Sequence, residues 1–127
     1  MGVEFYEDES DEHRWRVVDA EEDGPIHACH EGFSSKWGAL QNLFLNHARM
    51  SNFVSGIAGN LEFNSRPEFF IGKDKKTWWR ITASNNEIIG SSHKGFNSRV
   101  EAVDNLIMTY TMLAMFIAMY AQERNSE

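Results

Sequence analysis

Three residues in the first third of the chain, His27, Cys29 and His30, are of the types that bind zinc or form a thiol nucleophile. A structural zinc needs four convergent donors. If Ile26 to Cys29 is a strand, alternation sends His27 and Cys29 to one face and His30 to the other. A cysteine nucleophile needs a histidine base held by a third group, and no such acid stands at a motif spacing. The sequence therefore predicts no metal, no cofactor and no catalytic residue, hence a non-enzyme. A second set is more regular, because it occurs twice: Arg16 and Arg80, His30 and His93, Ser35-Lys36 and Ser98-Arg99. Ser35 and Ser98 each open an expected helix. Free N–H groups there can hold an anion, and a basic first turn opposes the macrodipole unless solvent or an anion compensates. Arg16, His30, Ser35, Lys36, Arg80, His93, Ser98 and Arg99 are thus candidate anion or nucleotide sites, with plain solvent exposure as the simpler account.

That pairing belongs to a longer internal repeat. Glu4-Phe5-Tyr6 and Trp15-Arg16-Val17 match Glu68-Phe69-Phe70 and Trp79-Arg80-Ile81 at an offset of 64 residues. After one deletion, Ile26, His30, Gly32-Phe33, Ser35, Lys36, Asn42 and Leu43 match Ile89, His93, Gly95-Phe96, Ser98, Arg99, Asn105 and Leu106 at an offset of 63. Two copies of this length indicate a duplicated supersecondary unit, since a solenoid needs at least three. The sister copy replaces His27 and Cys29 by Gly90 and Ser92, which weakens the metal and nucleophile readings further. The expected organisation is a single domain, 1–127, with internal repeats 4–63 and 67–122.

Local signals order the elements within each copy. Strands are expected at Phe5-Tyr6, Arg14 to Val18 and Ile26 to Cys29, separated by the charged hairpin Glu7 to Glu12 and the turn Glu21 to Pro25. A helix follows through about Met50, with Trp37, Leu40, Phe44 and Ala48 at helical spacing. The second copy repeats this at Phe69 to Ile71, Trp78 to Thr82 and Ile88 to Ser91. Its helix begins with a capping box, Ser98 and Glu101. Phe53 to Phe63, which carries Gly56 and Gly59 among apolar residues, reads as a strand or a packed linker, and a strand is the reading preferred.

Charge separates the copies. Through Arg66 there are twelve acids and five basic residues; from Pro67 onward there are seven of each, so the whole net charge of −7 lies in the first part. Within 67–99, six basic residues face three acids. Opposite fields favour copy packing on copy, or subunit on subunit. The acidic first copy argues against a general nucleic-acid binder, which needs a continuous basic surface, although Trp15, Trp37, Trp78 and Trp79 could stack on bases. A patch at Lys73, Lys75, Lys76 and Lys94 is the local exception. Conversely, the acidic surface from Glu7 to Glu22 could imitate nucleic acid and occupy a basic partner. The single cysteine fits a reducing compartment, and the acidic N-terminus does not resemble a secretory signal, so a cytoplasmic location is expected.

From Asn105 to Gln122 there are 18 residues without a charge. That reaches the lower limit of a transmembrane span, but Thr109, Tyr110, Thr111 and Tyr120 lie inside it. A soluble helix apolar all round must be covered all round, and one sheet covers one face. Met108, Met112, Met115 and Met119 form a stripe, beside small residues that include Ala114 and Ala118. These six are the expected interface of a homo-oligomer or a protein partner, since methionine adapts to varied surfaces.

The layout resembles the YegP-like family of small prokaryotic proteins built from one or two copies of a short module. The likeness is carried by Arg14-Trp15-Arg16 with Ile26 and Gly32-Phe33-Ser34-Ser35-Lys36, then by Trp78-Trp79-Arg80 with Glu87-Ile88-Ile89 and Gly95-Phe96-Asn97-Ser98-Arg99. It implies a doubled β3-α-β module, one antiparallel sheet with helices on one face, and exchange of each module's last strand. It brings no activity and no cofactor. The chain departs from it after the second helix, where apolar sequence runs to Ala121 without a strand. The expected fold is therefore α+β: duplicated β3-α(-β) modules forming one mostly antiparallel sheet with helices on one face. The expected function is a non-enzymatic, oligomer-forming interaction module. Anion or nucleotide binding and occupation of a nucleic-acid-binding partner are the alternatives.

Overall fold

The computed structural model describes residues 2–18, 25–59, 67–83 and 85–125. Strands β1 (Gly2–Glu7), β2 (His13–Val18) and β3 (Pro25–Cys29) precede helix α1 (Lys36–Gly59). Strands β4 (Glu68–Ile71), β5 (Thr77–Thr82) and β6 (Ile88–Ser92) precede helix α2 (Arg99–Asn125). The chain is α+β: a six-stranded antiparallel sheet in the order β1-β2-β3-β6-β5-β4, with two helices. The first hairpin closes through Asp8 N–H to Glu12 O at 2.9 Å, and the fourth strand's hairpin through Gly72 N–H to Lys76 O at 2.9 Å. Asp11 and Lys75 occupy equivalent left-handed positions, φ 60° and 64°.

The sheet is joined at its centre by β3 and β6, whose register (His27↔Ser92, Ala28↔Ser91, Cys29↔Gly90) is symmetric about the Ala28–Ser91 pair. Register shifts between Val17 and Val18 and between Ile81 and Thr82 accommodate an extra residue in β3 and in β6. A bulge of this kind breaks strict alternation. It explains why consecutive residues, Ile26-His27 and Ile89-Gly90, are both buried.

Beneath the helices, Trp15, Val17, Trp79 and Ile81 are fully buried with Leu43, Ala102, Leu106 and Leu113. Each indole is latched to a helix. Trp15 Nε1–H donates to Asn42 Oδ1, and Trp79 Nε1–H to Asn105 Oδ1, both at 2.9 Å. The backbone N–H groups of the same tryptophans donate to Cys29 Sγ at 3.4 Å and to Ser92 Oγ at 3.1 Å. Cys29 is therefore a packed acceptor, and burial raises its thiol pKa away from the reactive thiolate.

The helices interlace across the sheet. α1 begins with the Lys36 ammonium 5.4 Å over the Phe5 ring of β1. It ends with Phe53 packed 5.8 Å from Phe69 of β4. α2 runs the other way, from Arg99 stacked 4.6 Å over Phe69 to Phe116 at 5.5 Å from Phe5. Each helix thus spans from one edge strand to the other.

This corrects the expected strand at Phe53 to Phe63. Its described part, through Gly59, is the last turns of α1, and the remainder lies outside the described residues. Helical spacing continues past Met50, which is fully buried, into Phe53 and Val54 on the core side. Gly56 and Gly59 therefore sit in the final turn. The strand exchange implied by the family resemblance is likewise absent among the described residues, where β6 pairs directly with β3.

Asn42 and Asn105 carry the same latch, and removing either side chain strands one buried indole N–H. Asn46 Nδ2–H also reaches Asn42 Oδ1 at 3.2 Å but keeps its backbone acceptors, Asn42 O and Ile89 O, without it. Stranding a buried donor costs about 1–3 kcal/mol. Asn42→Ala and Asn105→Ala are each expected to lose about that much, in urea unfolding followed by tryptophan fluorescence. A variant that loses nothing would contradict the assignment.

Candidate functional site

The eight residues expected at the repeated helix entries do not form one site. Arg16 and Arg80 alternate with buried Trp15, Val17, Trp79 and Ile81, so they project from the face of the sheet without helices. Each is closed off in the same way. Arg16 Nε–H donates to Glu4 Oε1 at 2.8 Å with its guanidinium 4.4 Å over Tyr6. Arg80 Nε–H donates to Glu68 Oε2 at 2.8 Å over Phe70 at 4.8 Å. Lys36 and Arg99 lie on the helix side, over Phe5 and Phe69. His30 and His93 are exposed just beyond β3 and β6.

The serines are engaged by the helices themselves. Ser35 Oγ accepts Gly38 N–H at 3.1 Å, and Ser98 Oγ accepts Glu101 N–H at 3.2 Å. At α2 the Glu101 carboxylate also accepts Asn97 N–H at 3.2 Å. The capping box thus places the chain's own carboxylate where an external anion would dock.

The methionine stripe divides. Met112 is in the core and Met108 is half-buried against it. Met115 and Met119 remain 62% and 61% exposed, with Ala118 exposed beside them and Ala114 half-buried. The reason is length. At about 1.5 Å per residue α2 extends roughly 40 Å, against roughly 24 Å across six strands spaced about 4.8 Å apart, so its distal turns pass the sheet edge. There Met112, Met115, Phe116 and Met119 form one wall of a groove of about 530 Å³, and Gly2 and Val3 of β1 form the other. The β1 contribution was not foreseen. Its sequence signal is the alternation of Val3 and Phe5 with Glu4 and Tyr6, in a strand that among the described residues has a partner on one side alone. By length and composition α2 could also cross a membrane, but a third of its apolar stretch is buried in the fold.

His27 lies at the centre of the molecule, fully buried, with its ring stacked on Trp79 (4.6 Å, 8°) and tilted against Trp15 at 5.4 Å. Among the described residues neither ring nitrogen makes a hydrogen bond of good geometry, and the facing Asn46 Oδ1 makes none either. Asn46 uses its N–H groups on Asn42 O and Ile89 O, at 2.9 and 3.0 Å. Gly90 makes the arrangement possible: a side-chain carbon there would collide with Asn46 Oδ1 and come within 3.0 Å of His27 Nε2. Burial drives the His27 pKa down to about 3, against the opposing pull of the Asn46 side chain and the Ser91 backbone.

A histidine whose folded pKa lies below its unfolded value binds its proton only on unfolding. Its neutral form is fully accommodated above about pH 6.5, and stability falls as pH drops from there toward 3. Between pH 7 and 5 the loss due to His27 is about 2 kcal/mol. Urea titrations of the wild type and of His27→Leu at both pH values check this. The variant should lose the smaller amount, and identical pH dependence would contradict it.

No family model and no curated protein matches this chain. Two solved structures do, both determined by NMR in solution. One is YegP of E. coli, a protein of unknown function, with 15% identity, a TM-score of 0.66, and 88% of this chain and 84% of that one covered. The other is a UPF0339 protein of Shewanella oneidensis, with 16% identity, a TM-score of 0.64, and 88% and 83% covered. At these identities the likeness is one of fold, and over nearly the whole length of all three chains that fold is shared.

Proposed function

We propose that this chain is a YegP-like protein made of two duplicated modules, and that it works as a non-enzymatic module that assembles with protein chains through the groove between β1 and the distal turns of α2. The carrying observation is Met115 and Met119, two large flexible apolar side chains exposed together beside a strand edge that pairs with no other strand among the described residues. An unpaired strand offers backbone N–H and C=O groups to an incoming segment, and methionines adapt to what it brings. Duplication is supported by the repeat in the sequence and by the equivalent tryptophan–asparagine latches. The anion reading draws no comparable support, because its residues are divided between the two faces of the sheet and its serines cap their own helices.

Sedimentation velocity on the wild type and on the double variant Met115→Glu, Met119→Glu tests this reading. Both positions are exposed, so the thermal midpoint should shift by less than about 2–4 °C. The wild type should associate and the variant should sediment as a monomer. An unchanged distribution would remove the groove from consideration.

A further inference from the structure

The two outer strands of the sheet carry complementary features. Along β1 the helix-side groove is open among the described residues and walled by Met115, Met119 and Val3. Along β4, at the opposite edge, Ile71 is 68% exposed and Phe70 36% exposed. Ile71 shares the alternation of Phe69, which packs under the helices, so it projects on the side where the groove lies. The charge is divided in the same sense. β1 and the hairpin after it (2–12) carry six acids and no basic residue, while β4 and the hairpin after it (68–76) carry three basic residues against two acids. Resting on the reading of the groove as a docking surface, we propose that its occupant is the β4 edge of a second copy of this chain. Copies then join head to tail, β1 of one against β4 of the next.

The geometry accommodates this without rearrangement. Each strand in the order β1-β2-β3-β6-β5-β4 is antiparallel to its neighbour. Six alternating strands leave β1 and β4 pointing in opposite directions. A translated copy therefore presents β4 antiparallel to β1, with its helices on the same face. Ile71 of the incoming edge enters beside Val3 and covers Met115 and Met119, while the ladder continues from sheet to sheet. Pairing β1 with another β1 would instead set the two acidic parts against each other, which costs free energy and slows encounter. A contact between two different patches is heterologous. It grows into a ring or an open chain of copies and does not stop at two.

Two edge-blocked variants test the arrangement. Ile71→Glu spoils the β4 edge and leaves the groove intact; Met119→Glu spoils the groove and leaves β4 intact. By sedimentation velocity the wild type should grow beyond a dimer with concentration, and each single variant should be monomeric. An equimolar mixture of the two should form a one-to-one dimer and nothing larger. Raising salt from about 50 to 500 mM should weaken that dimer by roughly tenfold, because the opposed charges are screened. If the wild type associates and the double methionine variant does not, yet Ile71→Glu alone still dimerises, the groove stands as the interface and the head-to-tail arrangement falls. A mixture that fails to cross-pair would also overturn it. A wild type that stays monomeric at every concentration would overturn both the arrangement and the self-association on which it rests.

Discussion

Two aromatic rings, Phe5 and Phe69, determine how the rest of the molecule fits together. Each lies in an outermost strand and receives the start of one helix and the far portion of the other: Lys36 and Phe116 on Phe5, Arg99 and Phe53 on Phe69. A two-layer fold must bury one face of its sheet, and six strands are wider than a single helix can cover. Two long helices that cross from edge to edge solve this, and they bind the halves of the chain to each other. Packing, not local propensity, therefore fixes how far each helix runs. The same length carries the end of α2 past the β1 edge and creates the apolar groove there.

The centre of the sheet is where the two halves cannot be alike. About the symmetric Ala28–Ser91 pair, His27 and Gly90 occupy equivalent places close to one another. Two large side chains would contest the same volume, as the collision of a Gly90 side chain with Asn46 and its approach to His27 show. One half therefore supplies a ring packed between the tryptophans and the other supplies a glycine that leaves room for it. Asn46 in α1 and Thr109 in α2 differ for the same reason, since only Asn46 has the reach to hold the Ile89 carbonyl across the seam. The cost is a buried imidazole and an amide oxygen without hydrogen bonds of good geometry among the described residues.

Much of this was legible in the sequence. Six strands and two helices could be located because the Trp-Arg strands, the glycine-aromatic turns and the serine caps are local signals. The bulges were not legible, because an extra residue in β3 and β6 declares itself only when paired against β2 and β5. Reading His27 and Cys29 as same-face residues was sound, but nothing local says that this face is the core. Phe53 to Gly59 misled because glycines in an apolar run suit a strand interruption or a helix end equally well. Of the candidate site, Met115 and Met119 could be read from periodicity. Separating them from Met112 required knowing where the sheet stops.

The central claim is that the crossed helices make the two halves one cooperative unit. Native-state hydrogen exchange in low concentrations of urea tests this most directly, by comparing amides of β2 in the first half with amides of β5 in the second. The account predicts that the slowest amides of both strands exchange with the same free energy and the same urea dependence, because neither half opens without releasing helices from both edges. Separate free energies with shallower slopes for one half would show that it unfolds alone, and would contradict the account.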